Sequence, residues 1–271
     1  MKKTILFTLL LTLCHCLYAQ QVDTISVFSK KMDRHIKNVV ILPDGYNTES
    51  KKYPVLYLLH GHGGKYDSWI KSTKKSLPQE ATKWQMIIVC PDGQNSWYWD
   101  SPIDPKFQFE TYVSSELVSY IDENYKTIAG ADGRAITGLS MGGHGGLWLG
   151  INHPDVFGAC GSMSGGVDIR PFPNNWNMKD RLGEYKQNPE VWNNHTVITQ
   201  LYKIVPNTLS IIIDCGKDDF FYQVNENLHN EMLQKNIIHD YIVRPGGHTQ
   251  QYWNNAIDYQ MQFFSKFFNK N

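Results

Sequence analysis

Ser140 stands between two glycines in the run Gly138-Leu139-Ser140-Met141-Gly142, and Gly143 follows. A serine hydroxyl is a poor nucleophile at neutral pH. To attack an acyl carbon it needs a base within hydrogen-bond reach, a carboxylate to orient that base, and amide donors for the oxyanion. The Gly-x-Ser-x-Gly pattern alone is weak, because roughly one chain in ten of this length carries it by chance at ordinary Gly and Ser usage. The partners decide. "LSIIIDCGKDDFF" (209–221) offers Asp214, Asp218 and Asp219 at the end of an apolar run, and "YIVRPGGHTQQYW" (241–253) ends another with His248. Singly, Asp218 or Asp219 reads as a helix N-cap and His248 as a solvated loop histidine. Together, in the order Ser140, Asp, His248, they read as the nucleophile, orienting acid and general base of acyl transfer.

Such a constellation needs a scaffold that brings distant residues to one edge. "PVLYLL" (54–59) is a continuous apolar run, as in a strand covered on both faces. Further strand-like runs are "QMIIVC" (85–90), "RAITG" (134–138), "FGACGSMSG" (157–165), "LSIIIDC" (209–215) and "HDYIVRP" (239–245). Helix-like stretches at 112–125, 145–153, 222–235 and 252–268 separate the later runs. This alternation predicts an α/β fold with a mostly parallel central sheet and helices on both faces. The early runs "TISVF" and "KNVVILP" are expected as antiparallel strands at the N-terminal edge. Ser140 then falls on a strand–turn–helix junction, the context a strained nucleophile turn requires. After 54–59 comes His60-Gly61-His62-Gly63-Gly64, placed to supply one oxyanion donor, the backbone N–H of His62; the N–H of Met141 is the second. His60 and His62 also permit a metal reading, but no Asp, Glu or His partner lies at ligand spacing, so no metal is expected. His144 and His153 read as structural.

Two long segments, 92–110 and 165–196, are rich in aromatics, Pro, Asn and Gly. Loops beyond the carboxyl ends of parallel strands are where α/β proteins build ligand sites. Trp97, Tyr98, Trp99, Phe172 and Trp176 are therefore expected to line the substrate site, stacking on a sugar ring or an aromatic acyl group.

The 271 residues carry 26 basic and 26 acidic groups, so nothing points to nucleic acid. No repeat or linker divides the chain. "MKKTILFTLLLTLCHCLYAQ" has Lys2 and Lys3, then an apolar stretch too short for a membrane span, then Ala19. Residues 1–19 read as a secretory signal peptide and 20–271 as one domain, exported to the periplasm or beyond, with no stable membrane insertion after cleavage. A lipid anchor at Cys14 or Cys16 is disfavoured by the residues preceding them. Cys90, Cys160 and Cys215 end or follow apolar runs and read as core thiols, although pairing of two of them stays open.

The chain resembles the putative-esterase branch of the α/β-hydrolases, which includes feruloyl and acetylxylan esterases of carbohydrate esterase family 1, S-formylglutathione hydrolase and the mycobacterial mycolyltransferases. The resemblance rests on "YLLHGHGG", "VCPDGQNSWY", "GLSMGGHGG", "HPDVFGACGSMSG", "DCGKDDFF" and "GGHTQQYW" and covers nearly all of the chain after Ala19. It implies the α/β-hydrolase fold and a serine carboxylesterase without cofactor. In the family's G-x-x-D pattern the acid falls on Asp219, three after Gly216. Export weighs against S-formylglutathione as substrate, and the short chain against mycolyl transfer. A secreted, aromatic-rich member is expected to remove acetyl or feruloyl groups from plant polysaccharide or its oligosaccharides. The alternatives are a broad short-chain carboxylesterase and a non-catalytic binding module.

Overall fold

The computed structural model describes residues 21–270; the expected signal peptide lies outside them. Eight strands form one sheet: β1 (Gln21–Ser29), β2 (Arg34–Leu42), β3 (Val55–Leu59), β4 (Ile87–Pro91), β5 (Arg134–Gly138), β6 (Ala159–Met163), β7 (Ser210–Gly216) and β8 (Asp240–Arg244). Their order is β1-β2-β4-β3-β5-β6-β7-β8. β1 and β2 pair antiparallel in register from Gln21↔Leu42 to Ser29↔Arg34, and β2 pairs antiparallel with β4. The remaining pairs are parallel, so the fold expected from the alternation of runs is the fold present.

β3 shows why its sequence is apolar throughout. Val55, Tyr57 and Leu59 join one core cluster, with Val113, Leu147 and Leu228 from helices on that face. Leu56 and Leu58 join the other, with Leu77, Ala81, Ile257 and Phe264 from the helices Leu77–Trp84 and Gln250–Phe268. Two covered faces leave no position for a polar side chain. Edge strand β8 is only partly buried, and it carries charged residues, Asp240 and Arg244, at its two ends.

The chain runs from β3 to β4 on one side of β3, then returns to β5 on its other side. Ligands bind outside the carboxyl ends of strands at such a reversal. Into this crevice the helix Met141–Asn152 projects its start. It packs almost backbone to backbone on the sheet: a Cβ at Gly142 would lie 2.5 Å from the Leu59 carbonyl oxygen, and one at Gly146 2.4 Å from that of Gly161. The sequence places this helix from residue 145; it begins four residues earlier because the glycines that hide helical propensity are what allow the close approach.

His144, in the same helix, is completely buried. Its Nδ1–H donates to the Gly166 carbonyl at 3.0 Å, while Nε2 has no partner among the described residues. Trp148 stacks on the ring at 6.0 Å and 11°, and Trp99 meets it edge-on at 5.1 Å. Burial pushes the pKa down to about 3, since a second N–H would enter a space with no acceptor. The folded pKa lies below the ~6.5 of an unfolded histidine. The neutral ring's contribution is therefore fully present above pH ~6.5 and is lost as pH falls towards about 3, at up to about 1.4 kcal/mol per pH unit. His144→Gln keeps an N–H donor and removes the titration. Urea midpoints between pH 7 and 4 should fall less steeply in the variant than in the wild type; parallel slopes would show that His144 does not carry the acid sensitivity.

Candidate active site

Ser140 is held at φ 56°, ψ −117°, a left-handed backbone that non-glycine residues rarely adopt. Its amide donates to the Met163 carbonyl at 2.8 Å, fixing the turn to the end of β6. The turn is tight enough that a Cβ at Gly138 would lie 2.5 Å from the Leu59 carbonyl oxygen. This geometry lifts the hydroxyl out of the turn above the carboxyl ends of β3 and β5.

His248 Nε2 lies 2.8 Å from Ser140 Oγ. Its Nδ1 lies 2.8 and 3.0 Å from the two carboxylate oxygens of Asp219. A carboxylate accepts only, so Nδ1 carries the proton and Nε2 is left as the acceptor facing the serine. Asp219 is buried, and its Oδ1 also accepts the Phe221 amide at 2.8 Å. Asp218 has a different partner: its Oδ2 accepts the Gly246 amide at 3.1 Å, and its own amide donates to the Gly246 carbonyl at 2.9 Å. Asp218 thus ties the turn after β7 to the loop after β8, while Asp219 reaches the imidazole. Asp214, the third sequence candidate, is occupied elsewhere. It accepts Tyr252 Oη at 2.6 Å and Arg244 Nη2 at 2.7 Å, and burial raises its pKa.

The turn His60–Gly64 lies against the serine: a Cβ at Gly61 would sit 3.3 Å from Ser140 Cβ. The backbone amides of His62 and Met141 donate to no protein group among the described residues. Two side chains hold this turn in place. Asn95 Oδ1 accepts the Gly63 amide at 2.8 Å, and Asn177 Oδ1 pairs with His62 Nε2 at 2.9 Å. His60 is buried, with Nδ1 on the Gly61 carbonyl at 2.7 Å and Nε2 accepting the Gly93 amide at 2.8 Å, so backbone groups occupy both its ring nitrogens. The sequence alone did not mark Asn95 or Asn177. Their only signal is that both lie in the long loops, where short amides are common.

Four of the five expected substrate aromatics do not line the cleft. Trp97, Tyr98 and Trp99 are 1%, 0% and 0% exposed and cannot meet a ligand. Trp97 and Tyr98 have φ of 59° and 62°, which turns the loop inward. Trp97 stacks on Trp99 at 5.6 Å, and Tyr98 Oη donates to the His60 carbonyl at 3.1 Å. They are the packed base of the loop, because burial of such large rings outweighs exposing them. Phe172 packs behind the site on Phe221 at 5.2 Å and does not line the cleft. Trp176 does line it, with its carbonyl accepting Trp97 Nε1 at 3.1 Å. Phe220, unmarked in the sequence reading, also lines it. Its ring lies 4.2 Å from that of His248 and stacks on Trp176 at 5.6 Å and 17°. The cleft holds about 520 Å³ and is also lined by Ser68, Trp69, Ser72, Gln250 and Trp253.

The two long loops brace one another: Ser101 Oγ donates to the Arg181 carbonyl at 2.6 Å, and Arg181 pairs with Asp104 at 3.0 Å. Cys90, Cys160 and Cys215 are buried, unpaired core thiols. Among the described residues, no helix is long and apolar enough to cross a membrane.

Comparison with known proteins agrees with this geometry. Residues 29–264 match the family described as "Putative esterase". An acetyl esterase of Caldicellulosiruptor saccharolyticus is 24% identical over 263 residues, 89% of this chain and 97% of that protein. The diacylglycerol acyltransferase/mycolyltransferase Ag85B of Mycobacterium leprae is 30% identical over 243 residues, 80% of this chain and 69% of that protein. The solved structure of a ferulic acid esterase superposes with a TM-score of 0.80 at 28% identity, covering 93% of this chain and all of that one. With the matched span, the eight-stranded sheet and the strained serine turn in agreement, the chain belongs to the putative-esterase family of the α/β-hydrolase superfamily.

Proposed function

We propose that the protein is an exported serine carboxylesterase that hydrolyses acetyl or feruloyl esters on plant polysaccharide or its oligosaccharides. The observation that carries the chemistry is the unbroken hydrogen-bonded line from Asp219 through His248 to a strained Ser140. Ser140 Oγ attacks the ester carbonyl as His248 Nε2 takes its proton. The oxyanion is met by the free amides of His62 and Met141, pre-aimed by the turns that carry them. His248 then protonates the leaving alcohol, and an ester of Ser140 remains. Water repeats the sequence in reverse roles and releases the acid. Asp219 keeps Nδ1 protonated and steadies the imidazolium.

Support for the substrate class comes from two directions. The signal-like residues 1–19 direct the chain to where polysaccharide fragments occur. Relatives named acetyl esterase and ferulic acid esterase span most of it. A second reading, a broad short-chain carboxylesterase, is favoured by the burial of Trp97, Tyr98 and Trp99, which leaves fewer rings to meet a sugar. Comparing kcat/KM across 4-nitrophenyl acetate, butyrate and decanoate, methyl ferulate, and acetylated and feruloylated xylo-oligosaccharides separates the two. The polysaccharide reading expects the sugar-borne esters to be best and decanoate worst. Preference for decanoate, or no gain from attaching the acyl group to sugar, contradicts it and leaves the ester chemistry standing.

A further inference from the structure

We propose that Phe220 and Trp176 form the leaving-group side of the cleft, a two-ring platform that selects esters whose alcohol is itself a ring-shaped polyol. The proposal rests on the serine-esterase reading above. In that chemistry one proton passes from Ser140 Oγ to His248 Nε2 and then to the departing alkoxide, as the C–O bond to the alcohol breaks. The alkoxide oxygen must therefore lie within hydrogen-bond reach of Nε2, and the rest of the alcohol beside the imidazole.

The surface beside the imidazole is aromatic. Phe220 lies 4.2 Å from the His248 ring, tilted by 36°, and is 51% exposed although it follows the buried Asp219 directly. Trp176 continues the platform, nearly parallel to Phe220 at 17°. Phe221, one residue on, is buried at 1%. Exposing Phe220 leaves a flat apolar face open beside the reacting atoms, a feature with more use in ligand contact than in packing. The backbone beneath is fixed: Trp176 has φ 48°, its carbonyl is held by Trp97, and neighbouring Asn177 is held by His62. A platform anchored in this way loses little entropy when a ring stacks on it. The cleft is also lined by the hydroxyls of Ser68 and Ser72, the amide of Gln250, and Trp69 and Trp253; these two rings are buried, at 1% and 6% exposed, which leaves Phe220 and Trp176 as the open aromatic faces.

The test holds the acyl group constant and changes only the alcohol. kcat/KM is measured for feruloylated xylo-oligosaccharide against methyl ferulate, and for acetylated xylo-oligosaccharide against ethyl acetate, in wild type, Phe220→Leu and Phe220→Trp. The platform predicts that Phe220→Leu lowers the sugar-to-simple-ester ratio by about tenfold, the effect of losing one stacked aromatic contact. Phe220→Trp, which restores a ring, should restore the ratio. If Phe220→Leu lowers both members of each pair equally, the platform is wrong and Phe220 only holds His248. Wild-type protein that cleaves none of the four esters would overturn the esterase reading and the platform with it.

Discussion

Ser140→Ala is expected to lower kcat for 4-nitrophenyl acetate by on the order of 10⁴-fold or more, with the folded structure retained. The loss is this large because the hydroxyl is the only atom removed and the entire covalent route passes through it. The oxyanion amides of His62 and Met141 remain and account for residual turnover. Alanine adopts the same backbone as serine, and the turn is pinned by the Ser140 amide on the Met163 carbonyl, which the substitution leaves in place. Circular dichroism and thermal melting should therefore match the wild type closely. Activity within tenfold of wild type, with contaminating esterases excluded, would end the serine-nucleophile account.

His248→Ala should be about as damaging, since a serine without its base is nearly inert at neutral pH. His62→Ala should be far milder, because the donor assigned to residue 62 is its backbone N–H; what goes is the side-chain contact to Asn177, while Asn95 still holds the Gly63 amide. The adjacent carboxylates give a sharper contrast. Asp219→Asn puts an amide against His248 Nδ1 and favours the tautomer that protonates Nε2, which blocks proton transfer from Ser140. Asp218→Asn still presents an oxygen to the Gly246 amide and leaves the imidazole's partner unchanged. Steady-state kcat for the four variants should rank His248→Ala and Asp219→Asn at the bottom and His62→Ala and Asp218→Asn near wild type. The reverse order for the two aspartates would put the orienting acid one residue earlier.

The sheet and the three chain-distant residues were legible because their signals are local. Continuous apolar runs mark buried strands, and Ser140, Asp219 and His248 each stand just past such a run. Composition and the order of residues left Asp214, Asp218 and Asp219 open as the partner of the histidine, and only the family's G-x-x-D pattern pointed to Asp219. Which carboxylate faces the ring depends on how the turn after β7 rotates, and that is set by hydrogen bonds to the Gly246 loop 28 residues away in the chain. The aromatic residues failed for a related reason. Trp97, Tyr98 and Trp99 look like ligand contacts in a loop, but positive φ at 97 and 98 turns the segment inward onto the Gly145 face of the nucleophile helix. Phe220 was hidden by its neighbours: in "DDFF" nothing distinguishes the ring that buries from the ring that faces the cleft. The helix Leu77–Trp84 went unread as well, because its two buried residues, Leu77 and Ala81, give too short an apolar stripe to show a period.

Activation of Ser140 by His248 can be read out by covalent trapping. Purified protein is treated with a fluorophosphonate, and the modified peptide is identified by mass spectrometry while residual esterase activity is followed. The account predicts one adduct per chain, on Ser140, forming in step with the loss of activity and much more slowly in His248→Ala. An adduct on another residue, or full activity surviving complete labelling of Ser140, would contradict it.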